Sequence, residues 1–560
     1  MRHYFDFDRS LQEIFNSKLT GMKFTWREWL NITSKEEFLE TALKNSGLDT
    51  VENIFDLIKY GTTSSREFTL DPPQHLSQCG KMEIPIFTHT SGTTNPTIEN
   101  LKWFHMSKEL IGRLWAPGMQ AIFESADLSN NSSAVIFVPS RLKKDGIQKL
   151  NQKKYISLYS LEFSQRIALA TINPHSYLLA PYKESYNLRT IAKILELKKI
   201  STISTSFLTI LGWANHEKMK QKIKNSQKEI DPSSVQNDML VKLLKLIKYE
   251  GIDKATTKIQ ERLSEKIKDA YLISGISSLN VQKKIIHNFM HWQENRDKYI
   301  NLYVASEIGP FAASIRAAEK LKEGADGQVS QTIMDVFPLT LPVIERHGKM
   351  ELLTGTKHRV GKLLTSRMHN SKPLINIDTG DVIFIENTAA QPQIGGTILR
   401  AGFKLEYPLK LTDEVEIPEN SNIYAGDCFT IVDLEILNPK HLLDCIINNC
   451  RIQTDSLLLV RTEKEKDSWD LVLPFEGRHD PSFKNTLLEV IESCPGGKGF
   501  IDAIDRNRIT LKFTEEGPVD YLQTRGEILK KVRNGHIPKG ILKKWPLYLA
   551  VSPNYGKKIC

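Results

Sequence analysis

The sequence has no long apolar run and no apolar leader. Among its 560 residues, no apolar run approaches the roughly 20 residues that a transmembrane helix needs. The first ten residues, MRHYFDFDRS, carry charged side chains where a secretory signal requires an apolar stretch. We therefore expect a cytoplasmic protein with no membrane span.

Cysteine is scarce and irregularly placed. The chain contains six cysteines, which form neither CxxC pairs nor an evenly spaced framework. This pattern favours a reduced, intracellular setting over a disulfide-based scaffold.

Charge of one sign is only mildly in excess. The chain has 75 Lys and Arg against 66 Asp and Glu, a formal net charge of +9. Many lysines lie in residues 214–268 between apolar positions at helical spacing, as in DMLVKLLKLIKYEGI. Such a segment either binds nucleic acid or a membrane, or is an ordinary solvated helix surface. The second alternative is favoured, because acids are mixed in and few aromatics are present to stack on bases.

The length and the apolar pattern predict more than one domain and an α/β fold. A chain of 560 residues exceeds what one hydrophobic core usually organises. From AVIFVPS onward, short apolar runs alternate with helical patterns, which is typical of strands covered by helices. In LRTIAKILELKKI, for example, Leu188, Ile191 and Leu195 share a helix face, and the β-branched STISTSF follows.

Two signals concern the organisation of the chain at larger scale. Residues 1–75 are predicted to form helices and loops, and Ser34 with Glu37 has the spacing of a capping box. Loop-like stretches rich in Asn, Gly, Pro and Gln occur within residues 385–425. We place a domain boundary just after Tyr424, which divides the chain into residues 1–425 and 426–560.

The most distinctive segment is FTHTSGTTNPTIENLKWF, residues 87–104, which crowds hydroxyl side chains around Gly92 directly after the apolar IPIF. One explanation is a polar turn leaving a strand, because Gly, Asn and Pro punctuate loops. The other is a phosphate cradle, since Gly92 lets the backbone approach an anion while hydroxyl and N–H groups point at its oxygens. His89, beside this loop, is interpreted as structural rather than catalytic.

Three further stretches end strand-like apolar runs in small or acidic residues. In chain order they are AYLISGISSLN, INLYVASEIGP and PLINIDTGDVIFIE. Each alone is common at strand ends in α/β proteins. Together with the hydroxyl loop, and in this order, they resemble the adenylate-forming superfamily of acyl-CoA synthetases, peptide-synthetase adenylation domains and luciferases.

Specific motifs carry this resemblance. The family's phosphate loop, roughly (S/T)SGTTGxPK, appears as TSGTTNP, its central motif Y-G-x-(S/T)-E as YVASE, and its ribose motif TGD within DTGD. SGISS stands where the family has a small-residue adenine loop. The short leader before the phosphate loop, with its NITSKEEF segment, is similar to the phenylacetate-CoA ligase branch, which includes acyl-protein synthetase relatives.

The resemblance implies an AMP-forming ligase that uses ATP and Mg²⁺ to activate a small carboxylic acid as its acyl-adenylate. Ser306 would contact the α-phosphate, Glu307 would ligate Mg²⁺, and Asp381 would bind both ribose hydroxyls. The residues implied to hold the β- and γ-phosphates are Thr90, Ser91, Gly92, Thr93 and Thr94. The remaining nucleotide-binding positions are Ser274, Gly275, Ser277 and Tyr303. The acid pocket is expected near His175, Phe207 and Ser277.

The resemblance also implies a large N-terminal domain and a small, mobile α+β C-terminal domain. AGDCFTIVDLEILNPKHLLDCI resembles the family's hinge stretch, with Asp427 as the hinge acid. VSPNYGKKIC resembles P-x-(S/T)-x-G-K, which makes Lys557 the lysine that bridges the substrate carboxylate and the α-phosphate. The alternative for Lys557 is an ordinary tail lysine.

The sequence departs from the family pattern at several positions, and the departure at Leu434 bears on the acceptor. Asn95 and Val304 replace family glycines, and Leu434 stands where a glycine often lets pantetheine pass. Three functions stay open: transfer of the acyl group to the thiol of CoA or of a carrier protein's phosphopantetheine, capture by an amine to form an amide, and a degenerate, non-catalytic basic binding module. Acyl carrier protein is a partner under the first, and nucleic acid is not favoured.

Overall fold

The computed structural model describes the N-terminal part of the chain over residues 4–19, 84–89, 103–231, 235–275, 280–293, 296–306 and 309–324. The described stretches that follow are 334–337, 340–346, 349–352, 360–367, 374–384, 386–387, 394–395, 398–399, 429–431, 434–436, 439–450, 457–461, 469–474, 481–493, 497–514 and 547–551.

The described helices, in chain order, are α1 Arg9–Leu19, α2 Lys108–Leu110, a π-helix Ile111–Trp115, α3 Ala116–Ser125, α4 Ser160–Ile172, a 3₁₀ turn Tyr182–Glu184, α5 Leu188–Glu196, α6 Phe207–Ala214, α7 His216–Lys228, α8 Asp238–Glu250, α9 Ile252–Lys266, α10 Asn280–Met290, α11 Ile315–Lys322, α12 Pro439–Cys450, α13 Pro481–Ser493 and α14 Gly497–Asp505.

The described strands are β1 Tyr4–Asp6, β2 Ile86–His89, β3 Trp103–Met106, β4 Ser133–Val138, β5 Gly146–Leu150, β6 Lys153–Tyr159, β7 Ser176–Pro181, β8 Ile200–Ser204, β9 Tyr271–Ser274, β10 Tyr299–Ala305, β11 Gly309–Ala313, β12 Asp335–Val336, β13 Thr340–Arg346, β14 Lys349–Leu352, β15 Val360–Arg367, β16 Leu374–Phe384, β17 Glu386–Asn387, β18 Ile394–Gly395, β19 Ile398–Leu399, β20 Phe429–Ile431, β21 Leu434–Ile436, β22 Leu457–Arg461, β23 Trp469–Pro474, β24 Ile509–Thr514 and β25 Leu547–Val551.

An eight-stranded sheet, which we call the central sheet, has the strand order β1-β7-β4-β8-β9-β10-β11-β12. The first six strands in this order, β1 through β10, are parallel to one another. Beyond β10, the pairs β10–β11 and β11–β12 are antiparallel. Strand β4 is buried along its whole length, and its alternate residues enter two separate apolar cores. Helices therefore cover both faces, as a parallel sheet requires, and the predicted α/β class is confirmed.

The pattern around α5 and β8 also matches the prediction. The face of α5 that contains Leu188, Ile191 and Leu195 is buried, and β8 follows as the next strand of the central sheet. The lysine-rich segment forms α7, α8 and α9, each of which buries a narrow apolar stripe. Within the described residues, no helix combines the length and apolar composition that crossing a bilayer requires.

A second, four-stranded sheet has the order β3-β2-β6-β5. Its strands β2 and β6 are parallel, and α4 follows β6 directly. The core on this side contains side chains from both sheets, such as Ile156 and Ile136, and from the helices between them, such as Phe123 and Phe163. The helices α3 and α4 are thus packed in a layer between two sheets.

Strand β16 carries the predicted ribose motif in a bulge. Residues Lys362 and Leu364 of β15 lie opposite Val382 and Asp378 of β16. One residue of β15 therefore separates these two pairs, whereas three residues of β16 do. The extra residues make 379–381 of β16 bulge out of the ladder. Bulges of this kind are common beside functional sites, because they redirect the chain locally.

Several predictions on chain organisation concern residues that the structure does not describe. These are the capping box at Ser34 and Glu37, the boundary after Tyr424 and the hinge acid Asp427. Beyond residue 428, the described elements are helices α12–α14 and strands β20–β25, including a sheet of order β24-β23-β22-β25. The boundary and the mobility of this part stay predictions.

Gly309, at the start of β11, offers a test of packing beside the central motif. Its φ is +83°, and an added Cβ would lie 3.0 Å from Leu114 and 3.2 Å from Trp115. Gly324 has nearly the same φ, +84°, but open space around it. We expect Gly309→Ala to lower the free energy of unfolding by about 1–3 kcal/mol more than Gly324→Ala, since crowding adds to backbone strain. Equal losses in urea unfolding would contradict this.

Candidate active site

Strands β2 and β6 end side by side at one edge of the second sheet. His89 lies opposite Tyr159, and both strands run in the same direction. The hydroxyl-rich loop begins one residue after His89, and α4 begins at Ser160. The first turn of α4, whose N-cap residue Tyr159 makes no side-chain capping bond, therefore starts beside the residue that opens this loop. A helix N-terminus carries partial positive charge and favours anions.

Ser306 reaches this same corner from β10. Its hydroxyl lies 2.7 Å from the Ser160 hydroxyl and 3.4 Å from the carbonyl oxygen of His89. The side chain is buried, and His89 precedes it by 217 residues in the chain. The structure thus brings the serine of the central motif to the start of the predicted phosphate loop. Ser160 was missed from the sequence, where the only signal was a hydroxyl residue between an apolar strand and a helix.

Ser274 and Gly275 leave the carboxyl edge of the central sheet at the end of β9. Ser274 is buried and lies opposite Asn301 of β10, and its carbonyl accepts a hydrogen bond of 3.2 Å from the Tyr299 hydroxyl. The end of β8 is beside them, since the N–H of Thr205 donates to the carbonyl of Ile273 at 3.1 Å. The adenine-loop and central motifs therefore leave adjacent strands in the same direction.

Tyr303 and Val304 lie where β10 departs from regular pairing. The ladder between β10 and β11 shifts register between these two residues. Tyr303 is buried and packs edge-to-face on Phe311, with ring centroids 5.1 Å apart. The irregularity comes just before Ser306. A β-bulge redirects neighbouring side chains and is common beside active sites.

Some predicted site residues lie outside the described residues. These are Thr90, Ser91, Gly92, Thr93, Thr94, Ser277, Glu307, Asp427 and Lys557. Asp381 lies in the bulge of β16, and its side chain is also outside the description. Their roles stay predictions.

The predicted acid pocket is wrong at one position. His175 immediately precedes β7, and its N–H bonds to the carbonyl of Ser132, just before β4. It therefore lies at the amino edge of the central sheet, opposite the edge where Ser274 and Gly275 emerge. Phe207 begins α6 beyond the carboxyl end of β8, on the expected side, and is fully buried. Ligand sites of parallel sheets lie at the carboxyl edge.

A buried network of charges anchors α4 to the N-terminal segment. Arg166 of α4 is 0% exposed and bonds Glu162 at 2.8 Å and Asp6 at 2.9 Å. Arg141 bonds the other oxygen of Glu162 at 2.9 Å and Asp8 at 2.7 Å. Burial alone would raise the pKa of Asp8, but hydrogen bonds from Ser10, Arg141 and the Leu11 N–H, together with the Arg141 charge, hold it below its usual value. These bonds link the helix that starts at Ser160 to the N-terminal segment.

A separate group on α7 and α9 has the residue types of a metal site. Ligand atoms of His216, Glu217 and Asp253 lie within 4.8 Å of one another. The Lys220 ammonium lies 2.7 Å from Glu217 and 3.0 Å from Asp253, so a cation already bridges the carboxylates. The hydrogen bond that His216 Nε2 donates to Asp253 Oδ1 raises the pKa of His216. We interpret the group as a surface ion-pair cluster that joins the two helices.

No protein-family model matches this chain, and no curated protein matches it in sequence. Among solved structures, the chain is similar to a 2-hydroxyisobutyryl-CoA ligase in complex with 2-HIB-AMP and CoA, at 10% identity and a TM-score of 0.42, over 90% of this chain and 87% of that one. It is similar to the amide bond synthetase McbA from Marinactinospora thermotolerans at 10% identity and a TM-score of 0.36, over 74% and 63% of the two chains. A coronafacic acid ligase from Pectobacterium brasiliense gives 11% identity and a TM-score of 0.36, over 77% and 64%. At such low sequence identities and TM-scores, the similarity is no evidence for the function of this chain.

Proposed function

We propose that this chain is an AMP-forming carboxylate ligase, which joins a carboxylic acid to the α-phosphate of ATP and releases pyrophosphate. The observation that carries the proposal is the meeting of Ser306, Ser160 and the His89 carbonyl at the start of the hydroxyl loop. Residues separated by some two hundred positions meet there, which supports the phosphate-cradle interpretation. A polar turn alone would not need this convergence.

The donors at this corner suit a polyphosphate. The reaction brings a carboxylate against a phosphate, so the site has to neutralise growing negative charge. Hydroxyl and N–H groups of residues 90–94 would hold the β- and γ-phosphates, with the first turn of α4 adding its positive end. The Ser306 hydroxyl, now within reach of Ser160 and of the His89 carbonyl, would turn toward the α-phosphate.

The remaining roles follow the chemistry of the side chains. Glu307 comes directly after Ser306, and its carboxylate is a hard oxygen ligand that fits Mg²⁺. When bound, this ion would neutralise phosphate charge. The Asp381 carboxylate, on the bulge of β16, would accept hydrogen bonds from the ribose hydroxyls. The Lys557 ammonium would approach from the C-terminal part.

For the second half-reaction we propose a thiol acceptor, either CoA or the phosphopantetheine of a carrier protein. Capture by an amine is the alternative, and the bulk of Leu434 favours it because a glycine is replaced there. Leu434 starts β21 and pairs with Ile431. The protein would be incubated with ATP, one carboxylic acid that it activates, and a mixture of thiol and amine acceptors. Mass spectrometry of the product then distinguishes a thioester from an amide.

The proposed function predicts that Glu307→Gln lowers ATP–pyrophosphate exchange by about 100-fold or more, because a metal-binding charge is lost at the reacting phosphates. Exchange would be measured with a mixed carboxylic acid library. The matched control is Glu323→Gln, an exposed acid just after α11, which should exchange like the parent. Parent-level exchange in Glu307→Gln would remove Glu307 from the site. A folded parent that exchanges with no acid would leave the non-catalytic binding module as the better explanation.

A further inference from the structure

His89 lies where the two ends of the hydroxyl loop meet in the second sheet. It is the last residue of β2, and Trp103, the first residue of β3, lies directly opposite it in the ladder. The segment 90–102 therefore leaves and re-enters the sheet at one cross-strand pair. The imidazole ring centroid lies 4.7 Å from that of Trp103 and 5.8 Å from that of Tyr159, the residue before α4.

A buried carboxylate fixes this imidazole. Nε2 of His89 lies 2.8 Å from Oδ1 of Asp145, and the two side chains are 3% and 1% exposed. The second oxygen, Oδ2, accepts the Leu142 N–H at 2.7 Å, and the Ser157 hydroxyl lies 3.4 Å from Oδ1. Because a carboxylate oxygen only accepts hydrogen bonds, we assign the shared proton to Nε2 of His89. The pair ties the end of β2 to the turn before β5.

The main chain of His89 connects this pair to the central motif. Its carbonyl oxygen lies 3.4 Å from the Ser306 hydroxyl. The His89 side chain lies on the sheet face shared with Phe87, which has its own small core with Trp103 and is not part of the core that α4 covers. The imidazole therefore points away from α4, while its carbonyl faces Ser306.

We propose that His89 and Asp145 are a positioning pair for the phosphate site. The buried hydrogen bond sets the strand end from which the phosphate loop leaves, and it aims the carbonyl that faces Ser306. The proposed role of both side chains is to position the strand end, not to bind substrate. The inference rests on the proposed function, since it concerns how the same nucleotide site is held.

Asp145→Asn and His89 variants test the pair in different ways. In Asp145→Asn the side chain keeps one acceptor atom, so it cannot accept both the Leu142 N–H and the His89 Nε2–H, and the bond to His89 survives only if the imidazole proton moves to Nδ1. His89→Leu removes the donor, whereas His89→Gln keeps an N–H donor at similar reach. Ser157→Ala is the matched control, because it removes only the long contact to the same carboxylate.

The experiment measures the ATP KM in pyrophosphate exchange, the ATP-induced shift in melting temperature, and the melting temperature without ligand. We expect the ATP KM to rise at least tenfold in His89→Leu and Asp145→Asn and to stay within about threefold of the parent in His89→Gln and Ser157→Ala. The ATP-induced shift should shrink in the first two variants only. If His89→Leu fails to fold, the contrast of Asp145→Asn with Ser157→Ala decides.

Two negative outcomes differ in meaning. A parent that shows an ATP response, with KM and ATP-induced shift kept in both disruptive variants, would overturn the positioning pair alone, even if their unliganded melting temperatures fall. A His89→Gln variant as impaired as His89→Leu would overturn it as well. A parent without exchange or ATP-induced shift would overturn the proposed function, and the pair with it.

Discussion

Removal of residues 557–560 is expected to abolish acyl-adenylate formation while sparing acyl transfer from a supplied acyl-adenylate. The ammonium of Lys557 is proposed to neutralise the carboxylate as it approaches the α-phosphate. The last described strand, β25, ends at Val551 and pairs with β22 along its length. Six further residues span at most about 20 Å, so the position of this C-terminal sheet decides whether Lys557 reaches the phosphates.

Two measurements separate the half-reactions of the truncated protein. Hydroxylamine trapping of the activated acid reports adenylate formation, and thioester or amide formation from chemically prepared acyl-adenylate reports transfer. Lys558→Ala is the control and should form adenylate at the parent rate. Adenylate formation at that rate in the truncated protein would make Lys557 a bystander, and Lys539 in HIPKG would be tested next.

Arg166→Leu is expected to lower the free energy of unfolding by about 3–5 kcal/mol, because it leaves a buried carboxylate without its counter-charge. Glu162 would keep Arg141, but among the described residues Asp6 would keep only the Tyr177 hydroxyl at 3.2 Å and the Asp8 N–H at 2.9 Å. Adding Asp6→Asn to Arg166→Leu should restore part of the loss, since the stranded charge is then gone. Urea unfolding followed by circular dichroism measures both.

The control for this prediction is a surface pair of the same type. Arg9 and Glu13 lie 3.3 Å apart on α1, and their side chains are 70% and 65% exposed. Arg9→Leu should change the free energy of unfolding by no more than about 0.5 kcal/mol. A loss below about 1 kcal/mol in Arg166→Leu would mean that water or other donors satisfy Asp6, and that the network does not hold α4.

Local periodicity made part of the fold predictable. The apolar face of α5 and the β-branched run of β8 are adjacent in sequence, and each is determined by burial of its own residues. Ser306 was found for a related reason, since a motif at a strand end is local too. The family resemblance then implied that it would lie at the same nucleotide as the hydroxyl loop, although not that it would contact Ser160.

Pairings between distant residues were not predictable in this way. Asp145 lies 56 residues from His89 and Asp6 lies 160 from Arg166, and no local pattern marks a buried acid or names its partner. The error at His175 has another cause. The residue immediately precedes β7, and the direction of that strand, which sequence alone does not give, puts it at the amino edge of the sheet.

The position of β1 affects how the protein folds during synthesis. This strand precedes the other described strands in the chain, yet its only pairing in the described sheet is with β7, where Tyr4 lies opposite Tyr177. At about 5–20 residues per second, translation takes on the order of ten seconds or more to supply that partner. Until then the strand stays unpaired and Asp6 stays hydrated. All four strands of the second sheet are therefore synthesised before β1 can pair, whereas β8–β12 of the central sheet are synthesised after β7.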